Sequence, residues 1–166
     1  MKTLAATVMS LALLVTYEQP RGHPMTQRDA FSSTPANVVK LRIRVADRTM
    51  TATLFESRTS RDFVSLLPLT VTMNDLFRRE KFGHLPRAIS RGGKSTHTYT
   101  VGDIAYWPPG PDVAVYYRHD GEEIPDPGII VIGRIDSSVE AFDVPGSVRV
   151  TFELLDKAAQ GPPGSG

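Results

Sequence analysis

The chain has 166 residues, 40% of them hydrophobic and 22% charged, with a formal net charge of +1. That length and balance describe one globular domain with a sizeable core, and they exclude the strongly basic face of a typical nucleic-acid binder. The absence of cysteine excludes disulfides, thiolate zinc sites, iron–sulfur clusters and cysteine nucleophiles.

At the N-terminus, Lys2 precedes an uncharged stretch reaching Tyr17, with the apolar centre Leu4-Ala-Ala-Thr-Val-Met-Ser-Leu-Ala-Leu-Leu-Val15. Its length suits the h-region of a signal peptide and is short for a membrane-spanning helix. Residues 1–17 are therefore expected to be a signal peptide or apolar leader, and the protein to be exported or periplasmic. Val15-Thr-Tyr-Glu-Gln-Pro20 offers no clear small-x-small cleavage site. Two alternatives stay open: an uncleaved tether, or a true start at Met25 and a cytoplasmic protein. No membrane contact is expected beyond this segment. Residues 18–37 are polar and rich in Pro, Ser and Thr, the composition of a flexible linker. Residues 156–166, ending Gly-Pro-Pro-Gly-Ser-Gly166, read as a disordered tail. The folded domain is expected at 38–155.

Within it the hydrophobic period is that of strands. Val39, Leu41, Ile43 and Val45 alternate with Lys40, Arg42 and Arg44. After a turn at Ala46-Asp-Arg48, Met50, Ala52 and Leu54 alternate with Thr51 and Thr53, so the two runs should pair as a hairpin. Thr59-Ser-Arg-Asp62 has the form of a capping box and predicts a helix carrying Phe63, Leu66 and Leu67, stopped by Pro68. Leu69, Val71 and Met73 form the next strand. Ser90 to Lys94 is a loop, and Val101-Gly-Asp103 leads into a strand with Ile104 and Tyr106. Pro108-Pro-Gly-Pro-Asp112 reverses the chain before Val113, Val115 and Tyr117. Gly121 to Gly128 is another loop, and Ile129 to Ile135 reads as a buried strand. A helical turn is expected to begin at Ser137 or Ser138, before a last strand holding Val148, Val150 and Phe152. Many short strands with two small helices argue for an all-β barrel or sandwich, and closure of a barrel removes exposed sheet edges.

The opening hairpin is followed by Leu66-Leu-Pro-Leu-Thr-Val-Thr-Met-Asn-Asp75 and Glu80-Lys-Phe-Gly-His-Leu-Pro86. Val101-Gly-Asp-Ile-Ala-Tyr106 and Ile132-Gly-Arg-Ile-Asp136 come next. In these pieces and their order the domain resembles the bacterial cyclophilin-like β-barrel family. The resemblance implies a closed barrel of about eight strands with short helices over its ends. It also raises prolyl isomerase chemistry, because the isomerases of this fold use an Arg from a Phe-His-Arg strand motif, flanked by aromatic residues, to polarise the prolyl nitrogen. No Phe-His-Arg occurs here. The expected function is therefore a binding module for a small molecule or short peptide, with a divergent peptidyl-prolyl isomerase as the alternative.

Ligands of such a fold would sit on a barrel wall or at a mouth, where Met73, Glu80, Phe82, Tyr106, Tyr116 and Arg134 are the candidate binding residues. Two readings of Glu80 and Arg134 remain: an ion pair fixing strand geometry, or a polar pair recognising a charged or amide-bearing ligand. Strand parity puts Tyr106 and Tyr117 on the core side, and turns Trp107 and Tyr116 toward a groove or solvent. His23, His84, His97 and His119 lack metal-ligand spacing, and Asp120 to Asp126 lacks a calcium-loop register. No catalytic residue, metal or cofactor is predicted.

Overall fold

The structure, a computed structural model, describes residues 38–155. The expected leader, linker and tail, with Met25 and His23, lie outside the described residues. The opening hairpin forms as read: β1 (Val39–Val45) pairs antiparallel with β2 (Arg48–Leu54), Val45 opposite Arg48 across the turn. Leu41, Ile43, Val45, Met50, Ala52 and Leu54 are all buried, as the alternation requires.

The single α-helix among the described residues, α1 (Arg58–Val64), starts two residues earlier than the capping box suggests. Ser57 is its N-cap, and its hydroxyl accepts from the Ser60 amide at 3.0 Å. Tertiary contacts use the other two groups differently. The Thr59 hydroxyl accepts from the Gly93 amide at 3.0 Å, and Asp62 takes Arg87 Nη2 at 2.7 Å and the Ser90 amide at 2.7 Å. The helix closes at Ser65, so Leu66 and Leu67 belong to the following turn and Pro68 does not act as its stop.

The remaining elements are β3 (Leu69–Leu76), β4 (Glu80–His84), β5 (Ser95–Thr96), β6 (Asp103–Trp107), β7 (Asp112–Tyr116), β8 (Ile129–Ile135), a 3-10 turn (Glu140–Phe142) and β9 (Val148–Leu154). In place of the second expected helix the chain makes only this 3-10 turn. The strands run β2-β1-β9-β3-β4-β7-β6-β8, and β8 returns to pair with β2, so eight antiparallel strands close a barrel. The two-residue β5 adds to the start of β8. Closure brings Gly133 so near β2 that a Cβ there would lie 2.6 Å from the Thr53 carbonyl, a site only glycine can fill.

Inward-facing residues from every long strand fill the barrel, with Phe63 of α1 and Phe142 of the 3-10 turn joining them. Phe63 meets Phe152 edge-on at 5.7 Å. One barrel end is latched by a buried lysine. Lys81 Nζ donates to Asp75 Oδ2 at 2.8 Å and to the Val144 and Gly146 carbonyls at 2.6 and 2.7 Å, which uses all three ammonium protons. The Tyr117 hydroxyl donates to the same Asp75 oxygen at 2.6 Å. Burial alone would raise the Asp75 pKa, but the bonds from Lys81 and Tyr117 outweigh it and hold the carboxyl below its usual range.

Candidate functional site

The barrel interior is packed, and ligand-sized hollows lie outside it: one of ≈ 540 Å³ between β2 and α1, lined by Leu54, Phe55, Ser57 and Val64, and a second, over aromatic side chains, on the outer wall. On β4, β7 and β6 the period of two sends Glu80, Phe82, His84, Asp112, Ala114, Tyr116, Ala105 and Trp107 outward. Register stacks them in rows: Glu80 beside Tyr116, Phe82 beside Ala114 and then Ala105, His84 beside Asp112 and then Trp107. The alanines in the central row leave a hollow between larger neighbours. Phe82, Trp107 and Ala114 form its floor, while Phe77 and the loop residues Ile124 and Pro125 form walls around a cavity of ≈ 270 Å³. That volume suits a small ligand or a single side chain.

The wall residue Phe77 sits in a costly turn. Phe77 and Arg78 have φ of 55° and 56°, the left-handed region at both central positions of the β3–β4 hairpin. Asn-Gly normally fills such a turn. The Arg78 amide donates to Asp75 Oδ1 at 3.0 Å, which helps hold it, and the Phe77 ring is 71% exposed beside the cavity.

One end of the groove is polar, and its charges are paired with one another. The Arg79 guanidinium lies 3.4 Å from Glu80 Oε1 and 3.2 Å from Asp120 Oδ2. Its carbon sits 5.2 Å from the Phe77 ring centre and 5.7 Å from that of Tyr99. Burial disfavours the arginine's charge, but Glu80 and Asp120 more than compensate and strengthen it. Burial raises the Glu80 pKa despite the opposing Tyr116 hydroxyl and Arg79. Tyr116 is pushed up by burial first and by the facing Glu80 second. Tyr99 stacks on Tyr116 at 4.2 Å, and its hydroxyl donates to Asp120 Oδ1 at 2.7 Å.

The other end holds a carboxylate in a different condition. The Asp112 side chain is 9% exposed, with the His84 imidazole Nδ1 at 2.5 Å from Oδ1. That exposed imidazole is the carboxylate's one basic neighbour among the described residues, and its ring is angled so that Oδ1 gains no well-directed hydrogen bond. Gly110 permits this placement, since a Cβ there would overlap the Asp112 carboxylate. Burial raises the Asp112 pKa, opposed by His84.

Of the six candidates named from sequence, the groove brings together Glu80, Phe82 and Tyr116. Met73 and Tyr106 face the barrel interior instead, and the Tyr106 hydroxyl accepts from the Ile89 amide at 3.3 Å. Arg134 does not meet Glu80: its Nη2 pairs with Asp103 Oδ1 at 2.7 Å, while Glu80 pairs with Arg79. Tyr116 points away from the interior as parity requires, yet it is buried under Tyr99 and Ile124 rather than exposed. The groove also contains Arg79, Asp112, Phe77 and Ile124, none of them singled out in the sequence. Arg79 stood within a turn, Asp112 closed a Pro-Gly reversal, and Ile124 was one apolar residue in an acidic loop. Among the described residues no group of three or more His, Asp or Glu is arranged to hold a metal, and no helix is long and apolar enough to cross a membrane.

Residues 43–153 match the family described as the cyclophilin-like family, and the chain belongs to it. A similar solved structure is that of the hypothetical protein AF2241 from Archaeoglobus fulgidus. It is 27% identical, covers 70% of this chain and 94% of its own, and superposes with a TM-score of 0.57. That likeness is archaeal, and nothing in it ties the family to bacteria. No curated protein matches the chain.

Proposed function

We propose that this domain is a binding module whose outer-wall groove takes a small molecule or a side chain of a short peptide. The observation that carries this reading is the ≈ 270 Å³ hollow between Phe82, Trp107 and Ala114, apolar at its centre and polar at both ends. Such a site gains affinity from burying an apolar group and orientation from the polar ends. Trp107 is the sole tryptophan, so its emission reports directly on the groove. A ligand specific to the native state must also raise the melting temperature. The test is a thermal-shift screen of metabolites and short peptides, with hits checked by Trp107 emission. If nothing in a broad set moves either signal, the reading fails.

The second reading, a divergent peptidyl-prolyl isomerase, is favoured by Arg79. Its guanidinium lines the groove beside Phe77 and Phe82, and its contacts to Glu80 and Asp120 leave N–H groups unspent. A donor beside a shaped apolar pocket is what polarising a prolyl nitrogen requires. Isomerisation of a proline-containing peptide should then be faster than uncatalysed and should fall with Arg79→Lys. Arg134→Ala, outside the groove, should not matter. A rate equal to background sinks this reading.

A further inference from the structure

Three carboxylates in the described domain are buried: Glu80, Asp103 and Asp112. The first two each have an arginine, Glu80 at 3.4 Å from Arg79 and Asp103 at 2.7 Å from Arg134. Asp112 has no lysine or arginine within ion-pair distance among the described residues. Its one cationic-capable neighbour is the imidazole of His84, which is 74% exposed and set at an angle that makes no hydrogen bond to Oδ1. A buried carboxylate whose one partner is an exposed, poorly aligned imidazole is incompletely compensated, and this one lines the groove.

Its surroundings define what would complete it. Trp107 is the direct cross-strand partner of Asp112, so the indole and the carboxylate stand side by side on the outer face. Phe82 lies on the opposite side of the hollow floor. An aromatic face beside an anion attracts a cation twice, through the ring quadrupole and through a charge-assisted hydrogen bond. An anionic ligand head would instead meet the Asp112 carboxylate at this end, where no lysine or arginine among the described residues faces it; the groove arginine, Arg79, lies at the far end and is already paired with Glu80 and Asp120.

We infer that the groove takes a ligand with a cationic head, an ammonium or guanidinium group, seated between Asp112 and the Trp107 indole, with its apolar body along Phe82 and Ala114. This rests on the reading of the groove as a ligand site. The exposed His84 ring, 2.5 Å from the same carboxylate oxygen, is the group that such a head competes with.

Three probes that share a phenyl ring and a short chain test it on the full chain: phenethylammonium, the neutral hydrocinnamamide and the anionic hydrocinnamate. Trp107 emission is the readout. In the wild type the cation should bind at least about tenfold tighter than the amide, with the carboxylate weakest. Asp112→Asn should erase the preference for the cation over the amide, and His84→Ala should strengthen cation binding. Equal affinity for cation and amide in the wild type, or a preference that survives Asp112→Asn, overturns the inference and leaves the groove reading intact. Failure of all three probes to bind overturns both.

Discussion

Asp112→Asn makes a prediction about stability that is independent of any ligand. Burial lifts the folded-state pKa of Asp112 above its usual carboxylate value, with His84 only partly opposing. The folded protein therefore holds this proton to higher pH than the unfolded chain does. Below the unfolded pKa, near 3.8, the group is protonated in both states and costs nothing as a charge. As pH rises from there through the folded pKa, the unfolded chain releases the proton first, and stability falls. Above the folded pKa the loss is constant. Asparagine cannot ionise, so the variant should match the wild type in acid and exceed it at neutral pH. The gain is bounded by the cost of an unpaired buried polar group, roughly 1–3 kcal/mol. The amide keeps part of that cost, which leaves about 1 kcal/mol, or about 3–6 °C in melting temperature for a domain of this size. Thermal melts of both proteins between acid and neutral pH give the difference curve. A variant less stable than the wild type at neutral pH would mean that His84 satisfies the carboxylate as a true ion pair. The carboxylate would then be fully compensated and would have no need of a ligand's cation.

Three further outcomes follow from the same geometry. Lys81→Met should cost roughly 3 kcal/mol in denaturant unfolding, the lower end for breaking a buried pair because Asp75 is partly wetted. The double variant with Asp75→Asn should lose less than the sum of the two, and strict additivity would refute the latch. Arg78→Gly should stabilise the domain by about 0.5–1 kcal/mol, because glycine relieves the left-handed turn without removing the bond to Asp75; a loss on chemical denaturation would contradict the strain assigned to the turn. Ala114→Leu should fill the hollow from its floor and abolish probe binding, at an overpacking cost of about 1–3 kcal/mol because Ala114 is buried among Tyr116 and Ile124. Retained binding would move the site elsewhere.

The barrel was legible in the sequence because its physics is local. Alternation in Val39–Val45, Leu69–Met73 and Val148–Phe152 fixes which side chains face in, and glycine–proline reversals fix where strands end. The misreadings arose where a tertiary partner or an irregularity overrode the local pattern. Ile130 and Ile132 point inward, and strict alternation would send Arg134 after them. The register between β6 and β8 slips between Ile104 and Ala105, and this bulge turns Arg134 outward to Asp103 while Ile135 returns to the core. Likewise the capping box was read at Thr59, but its hydroxyl and the Asp62 carboxylate are engaged by Gly93, Ser90 and Arg87, far along the chain, and Ser57 caps the helix. The groove was hardest to read, since Phe82, Trp107, Ala114 and Ile124 become neighbours only when β4, β7, β6 and a loop assemble.

Stability and binding are divided between the two faces of one sheet. Lys81 and Gly83 face the interior of β4, while Glu80, Phe82 and His84 alternate with them on the outside. Inside, the ladder holds a packed core and a lysine whose every proton is used. Outside, the same strands carry a raised glutamate, an aspartate held only by an exposed histidine and an exposed phenylalanine on a left-handed turn. Departures from local consistency are expected to collect where a protein works, supported by regions that obey it. Because strand parity fixes both sets at once, a change that loosens the inner latch should also disturb the outer groove. Lys81→Met should therefore weaken binding of the phenyl probes even under conditions where the domain remains folded, although Lys81 lies on the opposite side of the sheet from the ligand.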